Sequence, residues 1–510
     1  MTKNIPHIPA EKFEFVNTGA HIHDEKFKTK SRGYFSDAFL RFKKNKSSVV
    51  AAFIIAFLVL FSIVAPIISP YTVNDKDNVY TNFPPFIESV ADANLGILNG
   101  SRTFTSQNEK QLAKYNAIAF ETGYNPIIGD ISSYEITEIE KGREVVKTYY
   151  NITLNCYYMI GAEYDLVSYD EFKKIQAYQD ETGIQVLLPY AASTDGADTW
   201  YKTDAKGNAV DQNGNITSDP TKFVPIYSTD TAKAGPVEYT SKRIAGDNGN
   251  YIYSWDKSNS VHIRVCYYNY YQYKNGITPS YVMGTDEYGR DLFECIGTGA
   301  RFSLVFAIVV SAINLTIGAI YGAIQGYYGG TIDLVMDRIT DILSGVPSIV
   351  VMTLFKLHLA QKIGVLPSVL FAFVLTGWIG MAALTRKQFY RFKSQEYIMA
   401  ARTLGASDRR LMFKHIFPNS LGTMVTSCAL VIPGVISSET SLTYLGIINL
   451  SKVVGTSIGE LMECGQRAMV NAPHAMLFPA LFISLLLISF NLFGNGLRDA
   501  FNPSTRGVED

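Results

Sequence analysis

The chain has 510 residues, is 47% hydrophobic and carries a net charge of −1. That balance excludes a basic nucleic-acid binder, and five cysteines are too few for a disulfide scaffold. The near-neutral average hides segregation: residues 71–280 hold 26 acidic and 18 basic residues, whereas the remaining 300 hold 20 and 27. An apolar, basic frame around an acidic polar block is the pattern of a membrane protein with a large domain outside.

Residues 1–47 are polar. Lys26, Lys28, Lys30, Arg32, Arg41, Lys43, Lys44 and Lys46 precede the first apolar run and predict a cytoplasmic N-terminal segment. The run at 48–69 is long enough to span a bilayer. It starts too late for a cleavable signal peptide and reads as an uncleaved anchor.

Residues 70–280 are predicted to form an inserted extracytoplasmic domain, β-rich or α+β, with one or two helices. Val261–Cys266 alternates as a strand does, and so does 143–160; a helix is expected near 168–182. Lys206-Gly-Asn208 and Asn213-Gly-Asn215 read as turns of a hairpin around Ala209 and Val210. The run from Asp211 to Asp219 alternates like a calcium loop. Ile216 stands in the glycine place and Lys222 in that of the bidentate acid, so a polar hairpin is the better reading. The block holds 23 of the 32 tyrosines; the skin and core of a sheet is preferred over an aromatic binding face. His262 lies on an alternating strand and reads as a packed or surface residue. Cys156 and Cys266 share the block and could pair, which depends on a separation the sequence does not contain. Cys295, Cys428 and Cys464 show no metal spacing and read as packing residues.

Residues 281–510 contain five more apolar runs, at about 302–325, 334–357, 366–385, 418–438 and 475–494. Six spans place both termini inside, with Arg498 and Arg506 fitting an inside C-terminus. Asp333, Asp337 and Asp341 recur every four residues and so share one helix face. They either form a polar seam, along the pathway or toward a partner, or mark a helix starting in cytosol, with Asp favoured by the dipole. The second reading is preferred. Pro347, Pro433 and Pro479 lie within spans and are kink candidates, though packing irregularity accounts for them equally well.

Between the fourth and fifth runs lies a loop rich in Lys and Arg, including Arg386, Lys393, Arg402, Arg409 and Lys414, which predicts a cytoplasmic location. Its centre, Glu396-Tyr-Ile-Met-Ala-Ala-Arg-Thr-Leu-Gly405, has helix formers followed by a glycine suited to φ > 0 past a helix end. Ser407 can cap a second helix with Asp408 in its first turn. An ordinary solvated loop fits the local physics equally well. No Walker A, His-Glu-x-x-His or Gly-x-Ser-x-Gly segment occurs. The chain therefore reads as no enzyme and without cofactor, and any ATP must be bound by another subunit.

The order Glu396, Ala400-Ala401, Gly405 resembles the "EAA" loop of binding-protein-dependent ABC importer permeases, in the variant of the peptide branch. Gly284-Thr285-Asp286-Glu-Tyr-Gly289-Arg290-Asp291, followed by Gly297 to Arg301, resembles the family's approach to its second span. Glu439 to Gly446 and Phe490 to Asp499 resemble its last external loop and C-terminal end. The likeness covers roughly 35–70 and 280–505. It implies an all-α polytopic membrane protein with six transmembrane helices in the ABC importer permease fold, set in a bacterial cytoplasmic membrane. It also implies coupling of ATPases through Glu396, Ala400, Ala401 and Gly405. The implied partners are a second, B-type permease, two ABC ATPase subunits, an extracellular solute-binding lipoprotein, peptide substrate and membrane lipid. Asp333, Asp337, Asp341 and Glu439 are candidates for the pathway or the permease interface. Nickel or another small solute is the alternative cargo; absence of a His/Cys cluster in the spans favours peptide. A rival reading is an extracellular sensor or binding module on a degenerate permease.

Overall fold

The computed structural model describes residues 34–93, 96–140, 143–192, 196–235 and 251–501. Lys26, Lys28, Lys30, Arg32 and Arg506, used above for orientation, lie outside them. A first amphipathic helix, α1 (Tyr34–Lys44), leads into the first apolar span, α2 (Lys46–Ile68). Asn45 caps α2 by accepting from the Ser48 N–H at 3.3 Å.

The inserted domain follows as α3 (Glu88–Asp92), β1 (Ser101–Gln107), α4 (Glu109–Thr122), β2 (Ser132–Glu140), β3 (Arg143–Asn155), β4 (Ala162–Ser168), α5 (Tyr169–Thr182), β5 (Leu187–Leu188), β6 (Ser254–Lys257), β7 (Ser260–Cys266) and α6 (Tyr267–Asn275). It is α+β and more helical than expected. Two small antiparallel sheets share the strands, one ordered β1-β3-β2, the other with β7 between β4 on one side and β5 and β6 on the other. The expected helix near 168–182 is α5, capped by Ser168, which accepts from the Glu171 N–H. The expected polar turns form around Asp204 and Asp211; each carboxylate accepts the backbone N–H groups of its own turn. Cys156 and Cys266 are free thiols buried in one aromatic cluster with Tyr71, Tyr80, Tyr157 and Tyr281. His262 packs between Tyr164 and Tyr190.

Strand β7 is covered on both faces. Val261, Ile263 and Val265 bury against Phe172 and Ile175 of α5. On the opposite face Arg264 is fully buried, and its guanidinium grips Glu121 of α4 with two bonds of 2.5 Å. The same guanidinium donates to the carbonyls of Pro189, at 3.0 Å, and Ala197. Tyr227 donates to Glu121 at 2.8 Å. One ion pair thus ties a strand, a helix and two loops together, with its lone pairs and protons satisfied.

The membrane core continues as α7 (Leu292–Tyr328), α8 (Gly330–Ser344), α9 (Ser348–Ile363), α10 (Val365–Lys393), α11 (Glu396–Thr403), α12 (Asp408–Tyr444), α13 (Ser451–Val454), α14 (Ile458–Ala468) and α15 (Pro473–Phe501). Among the described residues, α2, α7, α10, α12 and α15 are each long and apolar enough to cross a membrane. The expected third span is not one helix: α8 and α9 meet at 72°, and the span count reaches six only if that bent pair crosses as one. The break falls at Gly345-Val346-Pro347, where proline removes an N–H and disfavours helical backbone at Val346. Pro433 and Pro479, by contrast, lie within continuous helices. Helices α7 and α10 approach closely because Gly318, Gly322 and Gly326 recur every four residues along one face of α7. A Cβ at Gly318 would come within 2.7 Å of the Trp378 carbonyl, and one at Gly326 within 2.6 Å of the Arg386 carbonyl.

Glu121→Ala is expected to leave the Arg264 charge buried and unpaired and to cost the inserted domain about 3–5 kcal/mol. Limited proteolysis of the full-length membrane protein checks this. Cleavage within 86–280 should quicken while the membrane helices stay protected; unchanged protection would show that the ion pair is not a support.

Candidate functional site

Helix α11 is the centre of the basic loop. It begins after Gln395, whose backbone is extended, and ends in a left-handed turn at Gly405, φ 79°. The Gly405 N–H donates to the Arg402 carbonyl at 3.0 Å and the Ala406 N–H to the Ala401 carbonyl at 3.1 Å. These two bonds are the Schellman closure, and the small side chains of Ala401 and Ala406 are packed on the same cluster. Ser407 occupies the cap position of the next helix with extended backbone, although its side chain makes no capping bond.

One apolar residue anchors α11. Ile398 is fully buried among Ala323, Tyr327, Phe389, Leu411, Met412 and Ile416, which come from α7, α10 and the start of α12. Polar bonds add to this. Tyr327, at the end of α7, donates to Asp408 at 2.5 Å and accepts from Arg402 at 3.1 Å. The Lys393 ammonium donates to the Gly326 carbonyl at 3.0 Å, a cation at the C-terminal end of α7. Most of the remaining surface of α11 faces outward. Glu396 and Ala400 are exposed, and Tyr397, Met399, Leu404 and Phe413 are 42%, 52%, 88% and 47% exposed. Four large apolar side chains beside a charged loop are an unusual surface for a solvated segment.

The aspartate row divides. Asp333 and Asp337 both pair with Arg386 of α10 at 2.7 Å, and Tyr390 donates to Asp333 at 2.5 Å. Asp341 turns to Arg338 on its own helix and stays exposed. Glu439 is fully buried in α12, accepting from Ser303 of α7 at 2.9 Å and Thr443 at 3.2 Å. Tyr327 and Ile398 were not singled out by sequence reasoning, and Arg386 only as one of the loop's basic residues. Ile398 offered a signal, the lone branched aliphatic on an otherwise exposed helix; Tyr327 offered none, because Asp408 lies 81 residues away.

At the other end of the bundle, Gly284 to Asp291 forms a clasp. Gly284 and Gly289 have φ of 79° and 69°, and a Cβ at either would collide with the carbonyl of Phe83 or of Asp77. Thr285 donates to the Tyr80 carbonyl at 2.6 Å and accepts from the Phe83 N–H at 2.8 Å. Asp286 receives the Arg290 guanidinium at 2.7 Å, and Arg290 reaches on to the Gly455 carbonyl and toward Glu460 of α14. Asp291 caps α7 through the N–H groups of Phe293 and Glu294 and accepts from Ser69, just past α2. Burial pushes its carboxyl up to about 6.

Residues 299–507 match the binding-protein-dependent transport system inner membrane component, and residues 33–85 match the N-terminal transmembrane domain of oligopeptide transport permease C. The oligopeptide permease OppC of Bacillus subtilis (strain 168) is 40% identical over 223 residues, 44% of this chain and 72% of that protein. The chain belongs to the binding-protein-dependent permease family. The dipeptide permease DppC of Bacillus subtilis (strain 168) is 36% identical over 224 residues, covering 44% of this chain and 68% of its own length. OppC of Escherichia coli (strain K12) is 37% identical over 226 residues, covering 44% and 72%. Members of this permease family are integral proteins of the bacterial inner membrane, transporter subunits rather than enzymes, and work with ATPase and substrate-binding partners. The two matched stretches leave 86–298 between them, so most of the inserted domain lies outside what this permease shares with its family.

Proposed function

We propose that this chain is the C-type permease of a peptide ABC importer, and that α11 is the helix on which an ATPase subunit docks. The observation that carries this is the division of α11 into one anchoring residue, Ile398, and an exposed apolar face. A helix pinned to α7, α10 and α12 at once moves those helices when a partner moves it. Glu396, Ala400 and Gly405 are the exposed positions for contact, while Ala401 holds the Schellman turn. Peptide is the cargo named for the OppC and DppC relatives. A second permease, two ATPases and an external binding lipoprotein complete the assembly. Asp333, Asp337 and Glu439 hold this chain's own helices together, which leaves Asp341 facing outward for the second permease.

Gly405→Val places a β-branched residue at φ 79° and is strained even though open space surrounds it; Glu396→Lys reverses the charge at the start of the helix. Each is expected to abolish peptide uptake while the protein remains in the membrane at normal abundance. Wild-type uptake by Gly405→Val would remove the coupling assignment.

The Lys and Arg of α1 and of the α10–α12 loop orient both toward the cytoplasm, and the inserted domain outward. In a cysteine-free background, an impermeant thiol reagent on intact cells should label a cysteine at position 206 and spare one at 393. The reverse pattern would invert the orientation.

The inserted domain leaves and rejoins the core at Phe86 and Tyr281, whose backbones exchange two hydrogen bonds of 2.8 Å. A domain sitting over the outer mouth of the permease is placed where a loaded binding protein must arrive, and its tyrosines and negative charge supply anchors and complementarity. Replacing 87–280 with a short Gly/Ser linker should preserve assembly of the core, because the paired ends lie about 5 Å apart. It should also lose capture of the binding protein. Full capture and uptake after the replacement would show that the domain is no docking platform.

A further inference from the structure

Between the inserted domain and the outer rim of the core lies a cavity of about 650 Å³, within the size range of small-ligand sites. Its floor comes from Pro70, Tyr71 and Asp291, at the outer ends of α2 and α7; its walls come from the 74–79 loop, β4 and α6. Five carboxylates line it, from Asp75, Asp77, Glu163, Asp165 and Asp291, against two lysines, Lys76 and Lys274. The rest of the wall is rich in tyrosine, including Tyr267, Tyr270 and Tyr271.

The protein itself shows what this wall accepts. The Lys274 ammonium lies 4.3 Å from the centre of the Tyr270 ring and 3.1 Å from an Asp165 oxygen. A cation held jointly by an aromatic face and a carboxylate is the general solution for an organic ammonium. Although burial opposes it, bonds from Tyr270 and Lys274 hold Asp165 ionised below the usual carboxylate range. Lys274 is exposed at the rim, on a flexible stem, so it can yield its place to another cation. The 650 Å³ volume exceeds what one lysine head needs.

We infer that this cavity binds the cationic part of an incoming peptide, its α-ammonium or a Lys or Arg side chain, at the outer rim of the permease. The assignment rests on the peptide-importer reading and adds a charge preference to it, supplied in part by Glu163, Asp165, Tyr270 and Lys274, which lie outside the two matched stretches. An anionic peptide would meet an excess of carboxylates and be disfavoured.

The test uses the full-length chain in nanodiscs, with trilysine, triglutamate and spermidine as probes in a direct binding measurement. Trilysine should bind at least about tenfold more tightly than triglutamate. Glu163→Gln combined with Asp165→Asn should weaken trilysine by about tenfold or more, the loss of charge-assisted bonds. Lys274→Met, which removes the internal competitor, should tighten it several-fold. A misfolded variant cannot produce that gain, so the opposite directions separate loss of site from loss of fold. Spermidine binding more tightly than trilysine would assign the cavity to free polyamines and overturn the peptide claim. Equal binding of trilysine and triglutamate, or trilysine binding unmoved by both variants, would overturn the site altogether. Binding is read without ATP or partner subunits, so such a failure leaves the transport reading, which depends on uptake, standing.

Discussion

The inserted domain depends on one short pairing of backbones. Phe86 and Tyr281 exchange hydrogen bonds, and a few residues away Thr285 bridges Tyr80 and Phe83. Because the chain returns to the point it left, α2 and α7 pack as neighbours although more than 200 residues separate them in sequence. A domain whose ends meet can be added to a scaffold without altering its helix packing. The clasp at 284–291 makes this junction stiff. Its glycines let backbone approach backbone, and its carboxylates cap α7, hold Arg290 and receive Ser69.

The end of the bundle that carries α11 is also held by side-chain links. At the junction, backbone pairs and side-chain bonds act together; at this end, side chains cross-link helix ends. Arg386 joins α10 to α8, Lys393 joins it to α7, and Tyr327 joins α7 to both sides of the α11 turn. Side-chain links of this kind can exchange partners during a two-state motion, while backbone pairs resist one. The bend between α8 and α9 breaks the path of these two helices.

The inserted domain is built around charge and hydroxyl groups that a smaller core would not tolerate. Tyrosines fill its interior because each ring brings a large apolar area, and many of their hydroxyls find a partner, as in the Tyr271–Tyr281 contact at 2.8 Å. The Arg264–Glu121 pair is buried at its centre and satisfied on all sides. The same tyrosine-and-carboxylate chemistry, turned outward at the junction, lines the cavity above α2 and α7.

Local rules carried much of this into the sequence. Charge-free runs set the spans, the Lys and Arg pattern marked the loop, and Gly405 announced a left-handed helix end that the backbone adopts. The strand at 260–266 and the helix at 169–182 followed from period alone. What periodicity could not decide was anything involving a distant partner. Asp333 and Asp337 gave the same signal as Asp341, yet only the first two meet Arg386. Cys156 and Cys266 reached one cluster without joining, and Pro347 broke its span whereas Pro433 and Pro479 did not. The physical reason is common to these cases: helix and strand formation are written in neighbouring residues, whereas the pairing of buried charges, thiols and carbonyls depends on which elements pack together. That packing exists only once the chain has closed on itself.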